Sequence, residues 1–360
     1  MDVIKKVDFK GLTISKLKEF MKLNNLQPYR AEQVFNWIHK NKVDSFNEMK
    51  NIPHELHDKF NELAEIGNLK ISKHTLQSKD GTIKYLFELK DLNLVEAVLI
   101  PPRLEAIDFD KRLTVCISTQ VGCPLDCKFC ATGTIDFKRN LTSSEIVDQV
   151  YQLQKVSEKK ITNIVYMGMG EPMLNYENVM QSIEILTNQK GIGISSSKIT
   201  ISTAGYADKI RKMGDEKIKV NLALSLHSLK NEVRKKLMPI TNKFSVEELL
   251  DSLYYYQTKT KRSIMFEYIL FNELNDSIKD ADLIVKVCRK LNARINIIPF
   301  HSIEFTHPEG FSKNLKPSSI ERSTNFVNHL RNNKILVFQR LSAGEDIEAA
   351  CGQLAFTHYQ

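Results

Sequence analysis

The stretch CPLDCKFC, Cys123 to Cys130, spaces three cysteines as C-x3-C-x2-C with no fourth beside them. A closed structural zinc site or a closed iron-sulfur cluster takes four protein ligands. Three thiolates can instead hold three irons of a [4Fe-4S] cube and leave the fourth open to a ligand bearing an amino and a carboxylate group. The alternative is a zinc ion completed by a distant histidine or cysteine, which a lone C-x2-C would favour. The full triad, with Phe129 between the last two cysteines, favours the open cluster. A second motif, MGMGEP at 167–172, is a glycine-rich turn ending in an acid, and it would let backbone approach a ligand amine closely. Taken alone it is equally an ordinary structural turn.

Three further cysteines are scattered, which does not make a disulfide framework in a long chain of ordinary composition. Cys288 shares an apolar helical face with Ala281, Ile284 and Val285 and reads as core. By residue type alone, Cys116 and Cys351 also read as buried hydrophobes.

Seven strand-like runs position these residues, RLTVCIST, ITNIVYMG, KITISTAG, KVNLALSLH, SIMFEYILF, ARINIIPF and KILVFQR, alternating with amphipathic helical text. That alternation predicts an α/β fold, a partial (β/α)6-type barrel whose cysteine loop lies at the C-terminal end of the first barrel strand. Capping boxes at Thr142/Glu145 and Ser245/Glu248 mark two helix starts. Ahead of the barrel, residues 1–65 read as a helical accessory domain, with Ala31, Val34, Phe35 and Ile38 at helical spacing and Pro53 at a first helical position. Residues 66–103 read as a β-rich linking hairpin before the Pro101-Pro102 break, and 104–360 as the barrel with a C-terminal cysteine loop.

Lys and Arg outnumber Asp and Glu by 51 to 43, giving +8 and a pI near 9.0, which suits a polyanionic partner. No apolar run approaches the roughly 20 residues of a membrane span, and MDVIKKVDFKG lacks a signal-peptide core, so a cytoplasmic location without a membrane partner is expected.

With its cysteine triad and MGMGEP, the sequence resembles the radical S-adenosylmethionine superfamily. EDIEAACGQL, Glu345 to Leu354, is similar to the hallmark of one family there, the methyltransferases acting on C2 of an adenosine in 23S ribosomal RNA and, in some members, in transfer RNA. QPYRAEQVFNWIHK, DGTIKYLFEL, VEAVLIP, KRNLTSSEIVDQV, ISTAG, LALSLHS, KLMPI and IIPF extend the match along nearly the whole chain.

Adenine C2 is too poor a nucleophile to attack a sulfonium methyl, so the chemistry must proceed by radical addition. The resemblance implies a [4Fe-4S] cluster on Cys123, Cys127 and Cys130, and two S-adenosylmethionine molecules per turnover. It implies that Cys351 first accepts a methyl group as a thiolate. A 5'-deoxyadenosyl radical then abstracts hydrogen from that methyl, and the resulting carbon adds to the base. Cys116 resolves the covalent tether by forming a disulfide with Cys351, and Glu96 in VEAVLIP is the proton acceptor. Cofactor contacts carry over to Gly170, Glu171, Ser202, Ser225, Leu226 and His227. Where the family has asparagine after IPF or IPW, this chain has His301, which puts a cofactor contact there in question.

Expected partners are 23S ribosomal RNA, transfer RNA, and an electron-donor protein such as flavodoxin or ferredoxin, with the chain acting as a monomer. RKKLMPITNK (234–243), DFKRN (136–140) and Tyr29, Arg30 and Trp37 are candidate RNA contacts, although charge runs are commonly just solvated faces. Two rivals stand beside this reading. One is the sister family that methylates C8 of the same adenosine and tends to have alanine where Pro172 stands; the other is a non-catalytic iron-sulfur protein that binds RNA or senses redox state.

Overall fold

Strands whose two faces are both covered by helices need near-continuous apolar sequence. The apolar runs meet that need, and in the computed structural model, which describes residues 6–102, 112–339 and 343–355, they form seven parallel strands. These are β3 Thr114–Cys116, β4 Asn163–Tyr166, β5 Ile199–Thr203, β6 Asn221–Ser225, β7 Ile264–Leu270, β8 Arg294–Pro299 and β9 Val337–Gln339. They lie side by side in chain order, and helices α4 Ser143–Val156, α5 Tyr176–Thr187, α6 Ala207–Asp215, α7 Asn231–Leu237, α8 Val246–Thr260, α9 Ile278–Leu291 and α10 Ile320–Asn332 make the crossovers. Among the described residues the sheet has two edges and does not close.

Thr142/Glu145 and Ser245/Glu248 both form reciprocal capping boxes. A third, Ser277/Asp280 ahead of α9, uses Asp in place of the usual Glu. Cys288 lies on the buried face of α9, and burial pushes its thiol up to about 12.

The segment read as a linking hairpin is part of the main sheet. Strands β1 Ile83–Glu88 and β2 Leu94–Ile100 pair antiparallel, and β2 pairs antiparallel with β3, Val98 opposite Cys116. This covers the backbone edge that β3 would otherwise expose. The expected boundary at 103/104 lies outside the described residues.

Helices α1 Ile14–Leu23, α2 Arg30–Asn36 and α3 His54–Leu63 bury Ala31, Val34, Phe35 and Ile38 completely. Pro53, expected at the first helical position, is instead the cap one residue before α3 begins at His54, with an extended ψ of 145°. The helical module is docked on α4 by a buried ion pair, Lys10 Nζ to Asp148 Oδ1 at 2.6 Å, and by His39 Nδ1 to the Tyr151 hydroxyl at 2.8 Å. Among the described residues no helix is long and apolar enough to cross a membrane.

Candidate functional site

The cysteine loop leaves β3 through Ser118, Thr119 and Gln120, all buried. Gly122 turns it with φ +71°, and a Cβ there would lie 2.2 Å from the Asp136 carbonyl, so only glycine fits. Cys130 N–H donates to the Cys127 carbonyl (3.1 Å) and Lys128 N–H to the Leu237 carbonyl at the end of α7 (2.9 Å). The Phe129 ring meets the His227 ring edge-on, centroids 4.6 Å apart. Burial pushes the Cys123 thiol up to about 12, and burial also raises Cys127 and Cys130. Neighbouring cysteines add to each shift, with Glu171 contributing at Cys123 and Cys127, and Arg234 opposes the rise at Cys127.

Left alone, three such thiols stay protonated. A polycationic iron cluster is what would hold all three as thiolates, and this donor set of three half-buried sulfurs on one short loop fits it. Among the described residues, no three His, Cys, Asp or Glu side chains are gathered tightly enough to grip one metal ion.

The MGMGEP turn follows β4 and packs on the same passage. A Cβ on Gly168 would lie 2.7 Å from the Ile117 carbonyl, and one on Gly170, φ +97°, 2.5 Å from Gln120 Cβ. Glu171 is buried with both carboxylate oxygens engaged. One accepts from Met173 N–H (3.0 Å) and the Thr203 hydroxyl (2.7 Å), the other from Ala204 N–H (2.7 Å). Its carboxylate therefore braces this turn against the end of β5, and the turn can offer a ligand amine main-chain carbonyls instead. Ser202 and Ser225 sit half-buried at the C-terminal ends of β5 and β6. Leu226 is fully buried, its N–H donating to Glu267 and its carbonyl accepting from Arg234, so its main chain is engaged inside the protein. His227 accepts Ile269 N–H at Nδ1 (3.0 Å), and burial lowers it to about 3 with Arg234 adding to the effect. It is a neutral ring wedged behind the cysteine loop.

Arg234 corrects one expectation. Read as part of a phosphate-tracking run, it is completely buried. Its guanidinium donates from Nε to the Leu226 carbonyl (3.1 Å), from Nη1 to the Thr241 hydroxyl (2.7 Å), and from Nη2 to the carbonyls of Ser225 (2.9 Å) and Ala204. One side chain thus ties the ends of β5 and β6 together beneath Cys127. Of the other candidate RNA contacts, Arg139 is paired with Glu145 and Asp91, and Trp37 donates to Asn51. Lys138, Lys236, Lys243 and Tyr29 are exposed, with Arg30 lying over the Tyr29 ring at 4.8 Å.

Cys116 and Cys351, far apart in sequence, line one cavity together with Ile100, Met167, Ile298 and His301. Among the described residues no cysteine is joined in a disulfide. The C-terminal segment rests on the cysteine loop: Ala131 N–H donates to the Gly352 carbonyl (2.6 Å) and the Thr132 hydroxyl to the Leu354 carbonyl (2.7 Å). His301 directs Nδ1 to Glu345 at 3.1 Å, so the residue that departs from the family pattern contacts the cysteine-bearing segment. Glu96 lies on the same face of β2 as Ile100, two residues from Val98, which stands opposite Cys116, and its buried carboxylate is 3.3 Å from Lys84 Nζ. Lys84 is the residue the sequence did not single out, and Arg234 stood out only as part of a basic run. A basic residue at an inward-facing strand position in DGTIKYLFEL was the available signal for Lys84.

A profile of the Radical SAM superfamily matches residues 117–284, and a profile described as "Ribosomal RNA large subunit methyltransferase N-terminal domain" matches residues 7–66. The chain is 40% identical over 344 residues to the "Probable dual-specificity RNA methyltransferase RlmN" of Acholeplasma laidlawii, covering 95% of this chain and 97% of that protein. It is 43% identical over 329 residues to the protein of the same description from Thermotoga neapolitana, covering 91% and 92%. Among solved structures, a radical SAM methyltransferase from Sphaerobacter thermophilus matches with a TM-score of 0.84 at 34% identity, covering 97% of this chain and 99% of that one.

Proposed function

We propose, from the premise that the chain belongs to the RlmN family of dual-specificity radical SAM RNA methyltransferases, that it methylates C2 of an adenosine in 23S ribosomal RNA and in transfer RNA through an S-methylated Cys351. The observation that carries this reading is the shared cavity of Cys116 and Cys351, whose C-terminal wall is hydrogen-bonded to the cysteine loop from Gly352 to Ala131. When bound, the family's [4Fe-4S] cluster and S-adenosylmethionine supply an electrophilic methyl group and a means of breaking its C–H bond.

The chain's own residues do the rest. Cys123, Cys127 and Cys130 hold the cluster, and main-chain groups at Gly170 with the hydroxyls of Ser202 and Ser225 orient the cofactor. Cys351 accepts the methyl as a thiolate and carries its carbon to the base. Glu96 removes the C2 proton from the adduct. Once the adduct has returned its unpaired electron to an electron carrier, Cys116 as a thiolate attacks the sulfur of Cys351; the S–C bond breaks with its electron pair passing to the methylene carbon, which takes up a proton to become the new methyl group, and a disulfide remains for an external thiol to reduce. An electron-donor protein such as flavodoxin or ferredoxin supplies the reducing electron, and the working form is a cytoplasmic monomer.

The test is anaerobic reconstitution, incubation with unmodified RNA and cofactor, nucleoside analysis, and peptide mass spectrometry. The expected results are 2-methyladenosine, an S-methyl group on Cys351, and about four irons per chain. 8-Methyladenosine would move the reading to the sister activity. One tightly held zinc, or RNA methylation by Cys351→Ala, would overturn it.

A further inference from the structure

Lys84 is the sole charged side chain of β1 that is almost wholly buried, 1% exposed against complete burial for its partner Glu96. In the β1–β2 register Lys84 stands opposite Val98 and Glu96 opposite Leu86, so the two are diagonal neighbours on one face. The same ammonium reaches a second acceptor, the main-chain carbonyl of Glu348, at 3.3 Å. Glu348 lies three residues before Cys351. An ammonium carries three donors and a positive charge, so one buried nitrogen can neutralise a carboxylate and donate to a carbonyl at once.

The turn before β1 grips the same segment. Asp80 accepts from Gly344 N–H at 2.9 Å, and Asp346 accepts from the Ser78 hydroxyl and from Lys79 N–H, the latter at 3.2 Å. Gly344, with φ +68°, allows the approach: a Cβ there would sit 2.9 Å from Thr82 Cγ2 and 2.8 Å from Ala349 Cβ.

We propose that Lys84 is a positioning residue, the buried joint of a clamp formed by residues 78–84 on residues 344–349, which sets where the Cys351 thiol stands relative to Glu96. This rests on the reading of Cys351 as the methyl carrier. Because Lys84 serves the carboxylate on one side and the cysteine segment on the other, displacement of either partner loosens the other. A thiol that must meet a cofactor and later a base is thereby held by a contact that can be broken.

The test compares wild type, Lys84→Met, Lys84→Arg and the double variant Lys84→Met/Glu96→Gln, each with its cluster. Iodoacetamide labelling of Cys351 is followed by mass spectrometry with buried Cys288 as the internal standard, alongside amide exchange over 344–351. Loss of the clamp should speed Cys351 labelling by about tenfold or more and leave Cys288 unlabelled. Arg at 84, which keeps a cation and several donors, should restore most of the protection. The double variant leaves no unpaired buried charge, yet it should remain loose because the Glu348 carbonyl still lacks its donor. If Lys84→Met unfolds and exposes Cys288, the double variant decides. Wild-type labelling of Cys351 in the double variant, or in a folded Lys84→Met, overturns the proposal. A loosened segment combined with an active Cys351→Ala would leave the clamp standing and remove the methyl-carrier reading; an inactive Cys351→Ala with an unloosened segment would do the reverse.

Discussion

Replacing Arg234 by Met removes the guanidinium while roughly keeping the length of the side chain. Four donated hydrogen bonds go with it, buried ones to Leu226, Thr241 and Ala204 and a partly buried one to Ser225. Hydrogen bonds to a charged group contribute about 1.5–3 kcal/mol each, and a buried acceptor left without a donor costs about 1–3 kcal/mol. Against this stands the desolvation of the guanidinium, itself several kcal/mol, which the substitution recovers. Removing one side of a buried charged network leaves a net loss of about 3–5 kcal/mol. For a chain of this size, with a urea dependence of about 3 kcal/mol per molar, the unfolding midpoint should fall by about 1 M. Arg234→Lys keeps the charge but not the fork, and one nitrogen cannot span acceptors on two strand ends and Thr241, so about half the loss should persist. Because the network lies beneath Cys127, iron per chain after reconstitution should fall in both variants. An Arg234→Met protein with a midpoint within about 0.2 M of wild type and full iron loading would refute this account of the site's foundation.

His39 is held neutral, lowered from its ordinary 6.5 to about 3 by burial and then by Lys10. The unfolded chain therefore takes up this proton first, so its contribution to stability is complete above about pH 6.5 and disappears as pH falls toward 3, at up to about 1.4 kcal/mol per pH unit. His39→Gln should flatten the urea-midpoint profile between pH 6.5 and 4.5, and an unchanged slope would refute the assignment. Gly170→Ala should lower thermal stability and weaken S-adenosylmethionine binding, whereas Gly310→Ala, also at positive φ but with nothing within 4 Å of the new Cβ, should cost only the backbone strain of about 1–2 kcal/mol. Equal effects of the two would show that the contact with Gln120 is unimportant. Cys116→Ala should purify with covalently attached RNA, since Cys116 acts only in resolution; RNA-free protein with normal turnover would sink that role.

The sequence marked out the seven parallel strands, two of the capping boxes and the cysteine loop, because each is written in local pattern: apolar run, cap and partner three residues apart, metal-ligand spacing. It did not reveal what depends on distant chain. Arg234 looked like surface because its neighbours Lys235 and Lys236 are polar, and nothing nearby announces that its four acceptors come from the ends of β5 and β6 and from Thr241. Nor does anything near Glu171 announce that its carboxylate accepts from Thr203 and Ala204 on the neighbouring strand's end. The hairpin looked like a linker since its pairing with β3 crosses a proline break. The partnership of residues 78–84 with 344–349 spans more than two hundred residues and has no local signature.

The stitch between Thr132 and Leu354 joins residues 222 positions apart. A ribosome adding about 5–20 residues per second takes about 10–45 s to make that interval. During that time the three cysteines have emerged but the segment that roofs them does not yet exist. The site is thus open on one side while the protein is being made and covered once residues 350–355 settle on Ala131 and Thr132. Iron and sulfide delivered in that interval meet the loop without that segment, whereas a cluster lost afterwards has to be replaced with Gly352 and Leu354 hydrogen-bonded to the loop. Repair of an oxidised cluster should accordingly be slower than first assembly, even though both use the same three thiols.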